Sequence, residues 1–197
     1  MRVPLPILVV GIVVAGCGSG SGTIAETGVD GLVVPTPSPD PADFVDVVDN
    51  PWFVLDDALF ADGRGRPVER VVLDGPDVAG VPTTAVTLGP ATDYFAQDAD
   101  GNVWWFGRDG EWLAGRGGAE AGLVMPAEPR RGDGYRRAGV PGADLRAVVV
   151  SADDDSVLLE VADHLERQRQ LFTRGVGLEL VETTTGAVVL ARDVEGE

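Results

Sequence analysis

"YFAQDADGNVWWFG", residues 94 to 107, is the stretch whose reading decides the fold. Two runs rich in aromatic and β-branched residues flank Asp98-Ala99-Asp100-Gly101-Asn102. Asp, Gly and Asn tolerate the positive φ that a tight hairpin turn demands. On a strand, side chains alternate sides, so Trp104 and Phe106 face one way while Val103 and Trp105 face the other. Both faces are therefore apolar, and a strand apolar on both faces is covered on both. One cover is the core. The other is a loop, a partner surface or a bound apolar ligand.

The same texture runs outward in both directions. From Asp43 to the C-terminus, short β-branched runs alternate with turn residues every eight to twelve positions, which predicts an antiparallel, mainly β domain. Strands are expected at 67–73, 81–88, 92–98, 102–107, 111–115, 133–138, 145–152, 156–162, 166–173, 177–183 and 187–192. "DGRGRP", "DADGN", "SADDDS" and "TTTG" supply turns between them. Helix is scarce. "PADFVDVVDN", 41–50, has room for one or two turns before Pro51. "VADHLERQRQLF", 161–172, has a helical alternative because Val161 and Leu165 share a face, but strand is the preferred reading.

The N-terminus has a different character. Residues 3–14, "VPLPILVVGIVV", are almost wholly apolar yet shorter than the roughly 20 residues that span a bilayer. They suit the apolar region of a secretory signal. Val14-Ala15-Gly16-Cys17 resembles a bacterial lipobox, with valine where leucine is usual. The resemblance implies cleavage after Gly16 and acylation of Cys17, the only cysteine, with palmitate-type chains. Two or more acyl chains anchor a protein stably. Residues 18–42 are rich in Gly, Ser, Thr and Pro and read as a tether, with an end-to-end distance of roughly 25–30 Å. The expected organisation is thus a signal peptide over 1–16, a lipidated linker over 17–42 and a β domain over 43–197.

Charge narrows the partners. The chain carries a formal net charge of −17, and all of its basic residues are arginine, a composition we attribute to a GC-rich genome. Nucleic acid is excluded as a partner, because phosphate binding needs clustered positive charge. Asp98, Asp100 and Asn102 match the start of a calcium loop, but Val103 stands where the sharp turn needs glycine, so a hairpin turn explains them better. Asp153-Asp154-Asp155 reads as a solvated turn. His164, the sole histidine, lies between Asp163 and Glu166 and reads as a surface residue. A lone histidine and a lipid-bearing cysteine cannot build a zinc site. No G-x-S-x-G elbow and no phosphate loop occurs. No cofactor and no catalytic residue is expected.

Four stretches carry a resemblance: "DNPWF" at 49–53, "YFAQDADGNVWWFG" at 94–107, "VMPAEPRRGD" at 124–133, and "GVGL" at 175–178. Together they resemble a family of uncharacterised secreted and lipid-anchored β proteins of high-GC Gram-positive bacteria. In texture they are similar to half-barrel lipoprotein carriers, in which a curved sheet wraps an apolar cavity. The chain departs from that pattern after "NPWF", where "VLDDALFADGRG" replaces an expected turn and aromatic strand.

The resulting expectation is a mainly β single domain, a curved sheet or half-barrel, held as a monomer on the outer face of the cell membrane by the lipid at Cys17. Its function is expected to be non-enzymatic: binding of an apolar small molecule or lipid, with an envelope protein as the alternative partner and hydrolysis a distant third. The residues expected at such a surface are Trp52, Phe53, Trp104, Trp105, Phe106 and Trp112.

Overall fold

The computed structural model describes residues 40–143, 145–162 and 166–193. The signal segment, Cys17, most of the linker and His164 lie outside the described residues. The first described element is a 3-10 turn at Pro41–Asp43, where the Asp40 carboxylate accepts from the Ala42 amide. That single turn is all the helix in "PADFVDVVDN". A two-residue strand, β1 (Phe44–Val45), follows directly.

Thirteen further strands follow among the described residues: β2 (Ala58–Asp62), β3 (Pro67–Asp74), β4 (Thr84–Leu88), β5 (Ala91–Asp98), β6 (Val103–Arg108), β7 (Trp112–Leu113), β8 (Glu120–Met125), β9 (Gly134–Gly139), β10 (Leu145–Ala152), β11 (Ser156–Ala162), β12 (Arg167–Thr173), β13 (Gly177–Thr183) and β14 (Val188–Arg192). The fold is mainly β and forms one domain. Its curvature runs to completion, because the sheet closes into an antiparallel barrel of 12 strands. Going round, the order is β5, β4, β3, β2, β14, β13, β12, β11, β10, β9, β8 and β6, and the β5–β6 hairpin closes the ring. β1 pairs the far end of β5 and β7 the far end of β6.

The hairpin of residues 94–107 is thus the seam. β5 faces β6 with Phe95 opposite Trp105 and Ala96 opposite Trp104. Register propagates the alternation around the barrel, so Phe60, Val68, Arg70, Leu88, Asp93 and Phe95 point inward along β2 to β5. Outside the seam, Phe44 of β1 packs edge-on against Phe106 at 5.1 Å and Trp104 at 6.5 Å. Val78 and Val81 of the β3–β4 connection are buried in the same cluster. Both faces of β6 are covered, as its residues require. The outer cover is the chain's own loops.

Segment 46–57 closes one end of the barrel. Asn50 is 3% exposed and fixes the segment there. Its side-chain amide donates to the carbonyls of Gly101 (2.9 Å) and Pro126 (3.2 Å). Its side-chain oxygen accepts from the Trp52 and Phe53 amides. Its own amide donates to Gln97 Oε1 at 2.8 Å. Phe53 then enters the interior, 5.0 Å from the Phe95 ring and 6.0 Å from that of Phe172. Gly177, at φ +83°, lets Val54 pass: a Cβ there would stand 2.8 Å from the Val54 carbonyl oxygen.

The Asn50 side chain makes four hydrogen bonds at a buried site, and truncating it leaves several partners unmet at about 1–3 kcal/mol each. Asn50→Ala should lower the unfolding free energy by about 2–4 kcal/mol, whereas Leu73→Ala, at an outer position 63% exposed, should change it by less than about 0.5 kcal/mol. Urea unfolding of the two variants beside the parent protein checks the contrast.

Candidate functional site: a cavity inside the barrel

Segment 46–57 and the large side chains above it fill only one end of the interior. The rest is a cavity of about 670 Å³. Its walls are largely apolar, with Val86, Leu88, Val161, Leu178, Val181 and Leu190 among the lining residues, and Phe53, Phe95 and Phe172 toward the closed end. It reaches the rim at the β2–β3 and β4–β5 turns, where Arg66, Gly89 and Pro90 line it. The Arg66 side chain is 68% exposed, so the cavity opens there.

Four arginines line this cavity: Arg66, Arg70, Arg108 and Arg137. Three are matched. Arg66 pairs with Asp62 across the β2–β3 turn at 2.6 Å. Asp62 also accepts amides of that turn, and these bonds, led by the one from Arg66, hold its pKa down at about 2. Arg70, 4% exposed, pairs with Asp56, and Arg192 joins the same carboxylate at 2.8 Å. Arg108 grips Asp93 with both arms of its fork, at 2.8 and 3.0 Å. The indole of Trp105 adds a donor to Asp93 at 3.1 Å and a second bond to the Gly107 carbonyl at 2.8 Å.

Arg137 is the exception. On β9 it alternates with Arg136, which lies outside against Glu120 at 3.3 Å. The Arg137 guanidinium stacks over Trp105, 5.7 Å from the ring centroid. Its Nε is fully buried without a hydrogen-bond partner. Gly122 makes room for this stretch of β9, since a Cβ there would fall 2.3 Å from the Arg137 carbonyl carbon. Burial lowers the Arg137 pKa, Tyr135 and Asp93 oppose that, and Arg108 adds to it. An arginine nevertheless stays charged in a protein. The cation–π contact is worth about 2 kcal/mol when desolvated, less than the several kcal/mol of stranding a buried charge.

No family model, curated protein or solved structure matches the chain.

The residues expected from sequence divide between the two faces of the wall. Phe53 and Trp105 line the cavity. Trp112 braces Trp105 edge-on at 4.9 Å. Trp104 and Phe106 lie outside under Phe44, and Trp52 is buried at the closed end with the Arg174 guanidinium 4.0 Å from its ring. The aromatic set is therefore split among the cavity, the outer face of the seam and the closed end rather than gathered on one surface. Asp98, Asp100 and Asn102 form the β5–β6 turn, where the Asp98 carboxylate accepts from the Asp100 and Asn102 amides and from the Trp104 indole at 2.8 Å. Its oxygens serve the turn, and among the described residues no acidic cluster suited to a metal occurs. Asp153 likewise accepts from Asp155 and Ser156 within its own turn.

Sequence reading passed over the arginines. A signal existed: Arg70 stands in "PVERVVL" at the inward parity, and Arg137 shares parity with buried Tyr135.

Asp56 gives the site a pH dependence. Burial pushes its pKa up, but the hydrogen bond from Arg192 and the charges of Arg70 and Arg192 outweigh this, and it stays below its ordinary 3.8. The folded protein thus binds that proton less tightly than the unfolded chain. The stabilisation is present above the unfolded value and is lost as pH falls through the lower folded one. Asp56→Asn should lower Tm at neutral pH and flatten the fall of Tm below about pH 4. A Tm unchanged at neutral pH would count against the triad.

Proposed function

We propose that the protein is a non-enzymatic, lipid-anchored binding protein of the cell envelope that holds an apolar molecule or lipid inside its barrel. The observation that carries this reading is the cavity. Its volume of about 670 Å³ falls within the roughly 300–1,000 Å³ typical of small-molecule sites, which combine apolar walls with a few placed polar groups. The large side chains exposed outside are dispersed over several segments, among them Val45, Val47, Leu73, Val148 and Val188. That distribution favours an interior site over a docking face for an envelope protein. The anchor rests on the lipobox-like Val14–Cys17. A tether between lipid and barrel would hold the domain near the membrane, where apolar molecules concentrate, without fixing its orientation.

Two experiments test the two halves. Protein purified gently from a native-like host should release a stoichiometric apolar molecule on organic extraction, seen as an adduct by native mass spectrometry. Leu88→Trp, which fills the cavity, should weaken uptake of hexadecanol at least about tenfold without unfolding the barrel. A protein with no adduct that also refuses hexadecanol overturns the binding reading. Separately, Cys17→Ser should abolish labelling by radioactive palmitate and shift the protein from membranes to the soluble fraction. Labelling that survives this substitution refutes the anchor.

A further inference from the structure

We infer that the molecule held in the barrel is a single-headed anionic amphiphile, and that Arg137 receives its carboxylate or phosphate head. This rests on the cavity being a binding site, as proposed above.

The inference starts from a mismatch. Of the four arginines lining the cavity, three have a carboxylate partner and Arg137 has none among the described residues. The acid whose charge acts on it, Asp93, is already committed to both arms of Arg108 and to the Trp105 indole. Glu166 lines the same rim but has a partner of its own. The β5–β6–β9 wall thus presents two guanidiniums against one carboxylate, with one positive charge over. In a chain of net charge −17, an uncompensated cation in the interior is the reverse of what composition favours.

Geometry agrees with a head-group site. Trp105 carries the Arg108 guanidinium 5.4 Å and the Arg137 guanidinium 5.7 Å from its ring, so both are pre-positioned. A planar guanidinium takes two oxygens of one carboxylate or phosphate in parallel hydrogen bonds. Arg137 lies two residues from the end of β9, and Asp93 two residues from the start of β5 at the rim. A head bound there leaves an alkyl tail to descend between apolar walls toward Phe53, Phe95 and Phe172. A neutral amphiphile fills the same walls and leaves the cation unmet.

The test compares three probes with the same sixteen-carbon tail, titrated into the full-length protein by calorimetry: palmitate, hexadecyl phosphate and hexadecanol. At least one anion should bind about tenfold tighter than hexadecanol or better, and which one does so separates a fatty acid from a phosphate head. In Arg137→Gln that preference should vanish while hexadecanol affinity stays within about twofold. Arg137→Lys should restore part of it. The Tm of ligand-free Arg137→Gln should equal or exceed the parent's, because the change removes an unpaired charge. A marked fall in its Tm, or a failure to fold, would show that the guanidinium has a structural partner and overturn the inference. Hexadecanol binding as tightly as both anions would also overturn it and leave the binding reading intact. If none of the three binds, the binding reading falls and this inference with it.

Discussion

Closure is the constraint on which the rest depends. Once β5 pairs with both β4 and β6, no sheet edge remains along the ring, and every inward position is committed to one shared interior. The diameter then follows from strand number. Eight strands give an interior that side chains just fill, and sixteen or more leave an aqueous channel. Twelve fall between. Side chains cannot fill such a barrel alone, so the chain spends segment 46–57 on closing one end, with Asn50 holding the segment and Phe53 entering the interior. Above that plug the geometry leaves space, and the cavity is what remains.

This explains how the hairpin could be legible while the site was not. The alternation of Val103, Trp104, Trp105 and Phe106 declares a strand covered on both sides, and period-2 arithmetic gives the faces correctly. It does not say which face meets the core and which meets a void, because that depends on pairings far along the chain. Ten of the eleven expected strands are strands of the barrel, and the eleventh, 111–115, is the short β7 that pairs β6 outside the ring. β2 and β8 escaped because their surroundings obscure them: "ALFAD" is set between an acidic pair and a turn, and "EAGLVM" follows the glycine-rich "GRGGA". β2 forms within "VLDDALFADGRG", residues 54–65. Its pairing with β14, which brings Asp62 opposite Leu190 and Phe60 opposite Arg192, joins the first third of the chain to its end.

Charge is partitioned in a way composition hides. The acids greatly outnumber the arginines over the chain, yet the cavity is lined by four arginines. An arginine on a half-buried strand reads as solvent-facing when only its neighbours are visible. Arg70 and Asp56 are 14 residues apart and meet only because the 46–57 segment turns under the barrel. Asp93 and Arg108 meet across the hairpin, 15 residues apart. Such pairs satisfy charges that burial would otherwise penalise heavily. They also hold β3, β14 and the seam in register by fixed, directional contacts that apolar packing alone does not supply.

Arg137 breaks that rule, and the break falls at one position rather than diffusely. A sequence under selection for stability alone would place an apolar residue of similar length beside Trp105, and the barrel would gain from it. The indole beneath the guanidinium is a feature built around the arginine, not a relic of a looser wall. Local rules are broken where a site needs something the fold does not. Here the missing element is an anion, and the void beside it is bounded by apolar walls. The two deficits, an unfilled volume and an unmatched charge, adjoin in one interior, and a single molecule with an apolar body and one anionic end removes both.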